Sequence, residues 1–304
     1  MTDVLCVGHA AYDITMSTSR HCGADEKMQA DSMQLSGGGP AANAAVTVTR
    51  LGGTAAFCGY LGNDLFGDAH MAEFEAAGVD TLLIMRGPRP SPVSAILSKP
   101  DGTRAVVNYK GDTPWLEPNA VDPLSVQPKV MLLDGHEPLL SVPLVKWARE
   151  QHIPTVLDAG SDHKGTRELA PLVDYLVASS RFAYDWCGTE HMDAALQQLS
   201  ELAPHVVITL GGHGLVWASD GKAGALPAFG VAAVDTTGAG DAFHGAFALG
   251  VAQGMEWDAL LRFSSAAGAL ACTRLGARSG IPSASEVTAL LGNSKAKPLS
   301  RQER

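Results

Sequence analysis

The stretch Asp235-Thr236-Thr237-Gly238-Ala239-Gly240-Asp241 joins small residues, carboxylates and the start of a helix. Phe243, Phe247 and Val251 follow at i, i+4 and i+8, the spacing of an apolar helix face. The apolar run at 231–234 before it reads as a strand. A helix start leaves backbone N–H groups without partners, and the macrodipole adds partial positive charge there. Small residues let an anion approach that backbone. Gly238, Ala239 and Gly240 are therefore expected to form an anion hole for charge developing on a transferred phosphoryl group. Asp241 sits in the same first turn, where a carboxylate could accept the proton of an attacking hydroxyl. The alternative is a carboxylate that merely complements the helix dipole, worth about 0.3–1 kcal/mol. Asp235 could likewise be a cap or turn residue.

Something must hold that turn. Short apolar runs at 4–7, 54–60, 130–133, 155–157, 175–177 and 206–210 read as strands. Helical patterns at 41–51, 66–77, 141–151 and 192–202 lie between them, and 238–254, 257–274 and 284–291 follow. Near-continuous apolar strands alternating with helices predict a mostly parallel sheet covered on both faces. Two regions break the rhythm, 14–36 and 93–110. In the second, strand-like runs at 93–97 and 104–109 flank Asp101-Gly102, a hairpin signal. Both are expected to form a small β layer over the C-terminal strand edge, a lid that excludes water. A plain structural hairpin is the alternative. The expected organisation is one domain over 1–292 carrying these lid segments, with 293–304 a frayed or disordered tail.

With 304 residues and 46% hydrophobic content, the chain can bury a large core. Its formal net charge of −10 argues against nucleic acid as a partner, since a phosphate backbone needs a basic face. Backbone N–H groups can still bind a small phosphate. The five cysteines are widely spaced without a CxxC, which fits a reduced, cytoplasmic protein. Cys6, Cys58 and Cys272 lie in apolar runs and read as core. No 18-residue apolar stretch and no basic leader occur, so neither a membrane span nor a signal peptide is expected. No zinc-type Cys/His spacing and no GxSxG are present.

The segment 235–241 resembles the C-terminal signature of the ribokinase-like (PfkB) carbohydrate kinase family. Further motifs resemble the same family in its order. They are Gly8 with Asp13, then Gly37-Gly38-Gly39-Pro40-Ala41-Ala42-Asn43, then Thr209-Leu210-Gly211-Gly212-His213-Gly214, then Gly276-Ala277 with Ile281-Pro282. The resemblance spans residues 4 to about 290. It implies a three-layer α/β/α, Rossmann-like fold with a mostly parallel central sheet and a small β-sheet lid. It implies an ATP-dependent sugar kinase using Mg²⁺, with Asp241 as general base and Gly238, Ala239 and Gly240 as anion hole. By resemblance Asp13, Gly38, Gly39 and Asn43 hold sugar hydroxyls, and Thr209, Gly211, Gly214 and Gly276 line the nucleotide site. Asn108 and Lys27 are lid candidates for substrate contact. His136 and Glu137 are second-tier candidates beyond the strand at 130–133. Asp235 and Thr237, with Ala271, Arg274, Gly276 and Gly280, fall near the family's K⁺ site, which raises K⁺ activation as an expectation.

One motif departs. The positions of the family's Asn-x-x-Glu, which organises Mg²⁺, are here Ser179 and Phe182. Neither replaces a carboxylate, although Mg²⁺ can bind through ATP phosphates and water. Ketohexoses, ribose and sugar acids all remain open as substrates. A nucleoside kinase is the alternative within the fold. A non-catalytic sugar or nucleotide sensor is the alternative outside enzymes. Lookalikes commonly form homodimers through the lid sheet, and residues 93–97 offer an apolar edge for that.

Overall fold

The computed structural model describes residues 1–99, 102–113 and 115–293; the expected tail and Asp101 of the hairpin signal lie outside them, apart from Asn293, which closes the last helix. The first half of the chain runs β1 (Thr2–Val7), β2 (Ala11–Ser17), β3 (Ser32–Gly38), α1 (Pro40–Arg50), β4 (Ala55–Gly62), α2 (Leu65–Ala77), β5 (Ile84–Gly87), β6 (Val93–Ser98), β7 (Arg104–Tyr109), β8 (Pro128–Leu133) and α3 (Pro138–Glu150). The second half runs β9 (Thr155–Ala159), α4 (Lys164–Leu169), β10 (Tyr175–Ser179), α5 (Ser180–Cys187), α6 (Met192–Leu199), β11 (His205–Thr209), β12 (Leu215–Ser219), β13 (Lys222–Leu226), α7 (Ala239–Ala252), α8 (Trp257–Ala271), α9 (Ala277–Gly280) and α10 (Ala284–Asn293).

The main sheet has the order β13-β12-β11-β10-β9-β8-β1-β4-β5. It is parallel from β11 through β5; β12 runs antiparallel to β11, and β13 antiparallel to β12. β1 shows how one strand serves two cores. Val4 and Cys6 pack with α1, α7 and α8, while Leu5 and Val7 pack with α3, α5 and α6. Alternate side chains of a strand point to opposite faces, so an unbroken apolar run implies cover on both. Cys6 and Cys58 are buried and all five cysteines are free thiols. No described helix is long and apolar enough to cross a membrane.

A second sheet has the order β3-β2-β6-β7. It gathers both regions that break the strand-helix rhythm, and its first strand starts earlier than expected, at Ala11. β6 lies between β2 and β7, so residues 93–97 are interior rather than an edge; β3 and β7 are the edge strands. The register gives this sheet two distinct faces. Asp13, Ser94 and Asn108 align on one; Leu35, Ile14, Ala95 and Val107 align on the other.

Two further expectations change. Residues 231–234 form no strand; the run is largely exposed, and the N–H groups of Val234 and Asp235 both point to Cys272 O. No strand pairs alongside the run among the described residues. The hairpin β12–β13, between Thr209 and the glycine turn before α7, was not read from the sequence because β13, Lys-Ala-Gly-Ala-Leu, alternates weakly.

Candidate active site

α7 begins at Ala239 with Gly238 as N-cap, in the left-handed region at φ 77°. A Cβ on Gly238 would lie 2.7 Å from Ala277 Cβ, so this turn admits only glycine. Asp235 is fully buried beneath it. One carboxylate oxygen accepts from Thr237 N at 2.9 Å and Thr237 Oγ1 at 2.7 Å; the other accepts from Gly276 N at 2.8 Å. Asp235 and Thr237 thus lock the turn. Ala239 N–H turns back to Thr236 O at 3.3 Å. The N–H groups of Gly238, Gly240 and Asp241 have no acceptor among the described residues. Unpaired donors at a helix start are what an anion site requires.

Asp241 and Gly238 line a cavity of about 280 Å³ together with His9, Asp13, Gly39, Asn43, Ser94, Arg104, Asn108, Lys110 and His136. This volume lies near the small end for ligand sites. The loops after β1 and β8 and the starts of α1 and α7 supply its floor, and the second sheet its roof. The roof touches the floor directly: Arg104 Nη1 donates to Thr236 Oγ1 at 2.6 Å, and Thr236 Oγ1 donates to Gly102 O at 3.2 Å.

Asn43, on the first turn of α1, donates Nδ2 to Asp241 Oδ2 at 2.7 Å. Arg278 Nε donates to Asn43 Oδ1 at 2.8 Å, and Arg278 Nη2 donates to His70 Nε2 at 2.7 Å. Arg278 is buried near Glu73, at 3.6 Å; burial lowers its pKa to about 10, which leaves it charged. Burial and Arg278 both hold the pKa of His70 well down, so the ring is a neutral acceptor. Burial raises the pKa of Asp241, opposed by the Asn43 amide, His244 and Arg104. A carboxyl drawn toward neutrality is a better general base than an ordinary one.

Asp13, on β2, is pushed up to about 6 by burial, with Ser94 bonding its carboxylate in opposition and Asp241 raising it further. Its carboxylate lies against Gly38; a Cβ there would come within 2.1 Å of Asp13 Oδ2. Gly38 and Asp13 are adjacent in space because β3 pairs antiparallel with β2.

Asp134 follows β8 directly and was missed. It accepts from His9 N at 2.8 Å, Ala41 N at 3.2 Å and His136 N at 2.9 Å, tying three loops at the sheet's C-terminal edge. That edge position was its signal in the sequence. His136 lines the cavity and packs between His9, tilted with ring centroids 5.0 Å apart, and His163, stacked at 4.6 Å. Glu137 turns inward instead, accepting from Leu116 N at 2.6 Å, and burial pushes it up to about 7. Lys27 is exposed and outside the cavity lining. Arg104, Arg278, His9 and Lys110 carried no local motif.

Thr209 ends β11, and Gly211 and Gly214 flank the short turn that follows, with His213 exposed. These residues and Gly276 lie outside the cavity lining. The Asn-x-x-Glu positions do not suit a metal. Ser179 Oγ caps α5, accepting from Phe182 N at 3.0 Å, and Phe182 is fully buried. Among the described residues no group of three acidic, histidine or cysteine side chains could hold a metal ion.

The model of the pfkB family carbohydrate kinases matches residues 1–284. A ribokinase of Bacillus subtilis is 28% identical over 297 residues, covering 96% of this chain and 100% of its own. The ribokinase structure from Thermotoga maritima superposes with a TM-score of 0.83 at 27% identity, over 96% of this chain and 100% of that one. The Arabidopsis thaliana ribokinase complexed with ribose and ATP gives 0.85 at 26%, over 96% and 99%.

Proposed function

Because this chain belongs to the pfkB family of carbohydrate kinases, we propose that it transfers the γ-phosphoryl group of ATP to a hydroxyl of a small sugar, with Asp241 as general base. The observation that carries this reading is the double role of one short segment. Asp241 presents its carboxylate to the cavity, and its own N–H, with those of Gly238 and Gly240, is left unpaired at the helix start. Asp241 takes the hydroxyl proton as the new oxygen–phosphorus bond forms and the bond to the departing ADP breaks. The N–H groups, with Ala239 closing the turn, hold the oxygens of the transferred group. Asp13, Gly39, Asn43 and Asn108 hold sugar hydroxyls, Gly38 making room for Asp13. Thr209, Gly211, Gly214 and Gly276 are assigned to the nucleotide. Mg²⁺ enters with ATP, since Ser179 and Phe182 offer it no carboxylate. K⁺ near Asp235 and Thr237 would stabilise the same turn from outside.

A cavity of about 280 Å³ and the ribose held by the Arabidopsis relative favour a pentose or ketohexose over a nucleoside. The test is ADP release with ATP and Mg²⁺ over pentoses, ketohexoses, sugar acids and nucleosides. Wild type should turn over at least one sugar. Asp241→Asn should lose roughly 10²–10⁴ in kcat while still binding that sugar in calorimetry. Sugar binding without turnover by wild type would favour the sensor reading, and a preference for nucleosides would replace the substrate.

We also propose a homodimer through the second sheet. Its outer face aligns Leu35, Ile14, Ala95 and Val107 across all four strands. Leu35 is 49% and Val107 71% exposed, an apolar row that a second copy would cover.

A further inference from the structure

Two buried residues outside the cavity lining lie beneath the start of α7. His244 sits on α7 one turn below Gly240, and Asp158 sits on β9. His244 Nδ1 is 2.6 Å from Gly240 O and 3.2 Å from Asp158 Oδ2, and Nε2 is 3.1 Å from Val177 O on β10. A backbone carbonyl oxygen only accepts. A neutral imidazole has one N–H and would aim its lone pair at one of these oxygens. Both nitrogens therefore carry hydrogen. We infer that His244 is a standing imidazolium balanced by the Asp158 carboxylate, and that the pair is a positioning device which strengthens the anion hole through the Gly240–Asp241 peptide.

The path is short. The carbonyl of Gly240 and the N–H of Asp241 belong to one peptide unit. A cationic donor on that carbonyl polarises the unit and makes its N–H a stronger donor. That N–H is one of the three without an acceptor at the helix start. The other charged groups acting on the pair or on Asp241 are Asp134, after β8, Arg104, on β7, Asp13, on β2, and Arg278, on α9. Burial, with Asp241 and Asp134 nearby, pushes the carboxyl of Asp158 up to about 7, and His244 opposes that rise. A buried ion pair seldom adds net stability. Polarising a donor at the reacting end of α7 is a use that an apolar pair could not supply.

The charge state stands on geometry alone; the catalytic role rests on the kinase reading above. Ring-nitrogen NMR of histidine-labelled full-length protein reads the first. Both His244 nitrogens should carry protons at pH 7, and a neutral ring there would overturn the inference. Kinetics of Asp158→Asn and of the double variant with His244→Asn read the second. We expect kcat to fall about tenfold, with KM for the sugar within about twofold, and no further loss in the double variant. An unchanged kcat in a variant that melts like wild type overturns the positioning role. If wild type turns over no sugar, the kinase reading fails by itself. The NMR result still decides the charge, and the shift of the Asp241 amide on adding inorganic phosphate, wild type against Asp158→Asn, then decides the polarisation: an equal shift in both overturns it.

Discussion

Asn43 Nδ2 donates to Asp241 Oδ2 at 2.7 Å across 198 residues of chain, and Arg278 fixes which way the amide points. With Arg278 Nε on Asn43 Oδ1, only the NH₂ group can face Asp241. That donation stabilises the charged carboxylate against burial. Asn43→Ala should let the pKa of Asp241 rise. The acid limb of the kcat/KM profile should then move to higher pH by about one unit, for a charged hydrogen bond worth about 1.5 kcal/mol. Profiles of both proteins on one sugar test this. A limb that stays in place would mean that the amide binds sugar and does not tune the base.

The buried Asp13 carboxylate opposes stability. Its folded pKa of about 6 lies above the ordinary 3.8, so the folded state holds the proton more firmly than the unfolded chain. The contribution of this group to stability is full below about pH 4 and is lost as pH rises through 6. Asp13→Asn removes the ionisation. The ligand-free variant should be more stable than wild type by about 3 kcal/mol at pH 8 and equal to it near pH 4. Its affinity for sugar should fall at least about tenfold. Thermal melts at both pH values and calorimetric titration check the two halves. A melting difference independent of pH would sink the burial argument.

The metal should depend on the nucleotide. Ser179 is spent on capping α5 and Phe182 on the core. Chelation should abolish turnover and Mg²⁺ restore it, with rate tracking the concentration of MgATP alone. A second, saturable dependence on free Mg²⁺ at constant MgATP would reveal a protein site elsewhere.

The outer face of the second sheet predicts its own test. Leu35→Lys with Val107→Lys places two charges in the apolar row. Sedimentation should show a dimer for wild type and a monomer for the variant, since unpaired charges in a buried interface cost several kcal/mol. A wild-type monomer at micromolar concentration would remove the proposal.

What the sequence alone determined is what depends on neighbours along the chain. The small residues of 235–241 ahead of a 3.6-period apolar face imply an anion-ready helix start, because N–H groups and dipole are properties of the first turn itself. Alternating apolar runs likewise implied a sheet with two covered faces. The apolar run at 231–234 misled because apolarity does not say whether a partner strand lies alongside, and the N–H groups of Val234 and Asp235 turn to Cys272 O instead. The tertiary structure decided everything that needs two distant segments. It brought Asn43 and Arg278 to Asp241, Gly38 to Asp13, Arg104 to Thr236, and Asp158 to His244. None of these pairs shares a local motif. Their meeting is set by strand order and crossover, which fix positions in space through packing rather than through spacing in the chain. The helix-start segment was therefore legible, while the groups that tune its charge were not.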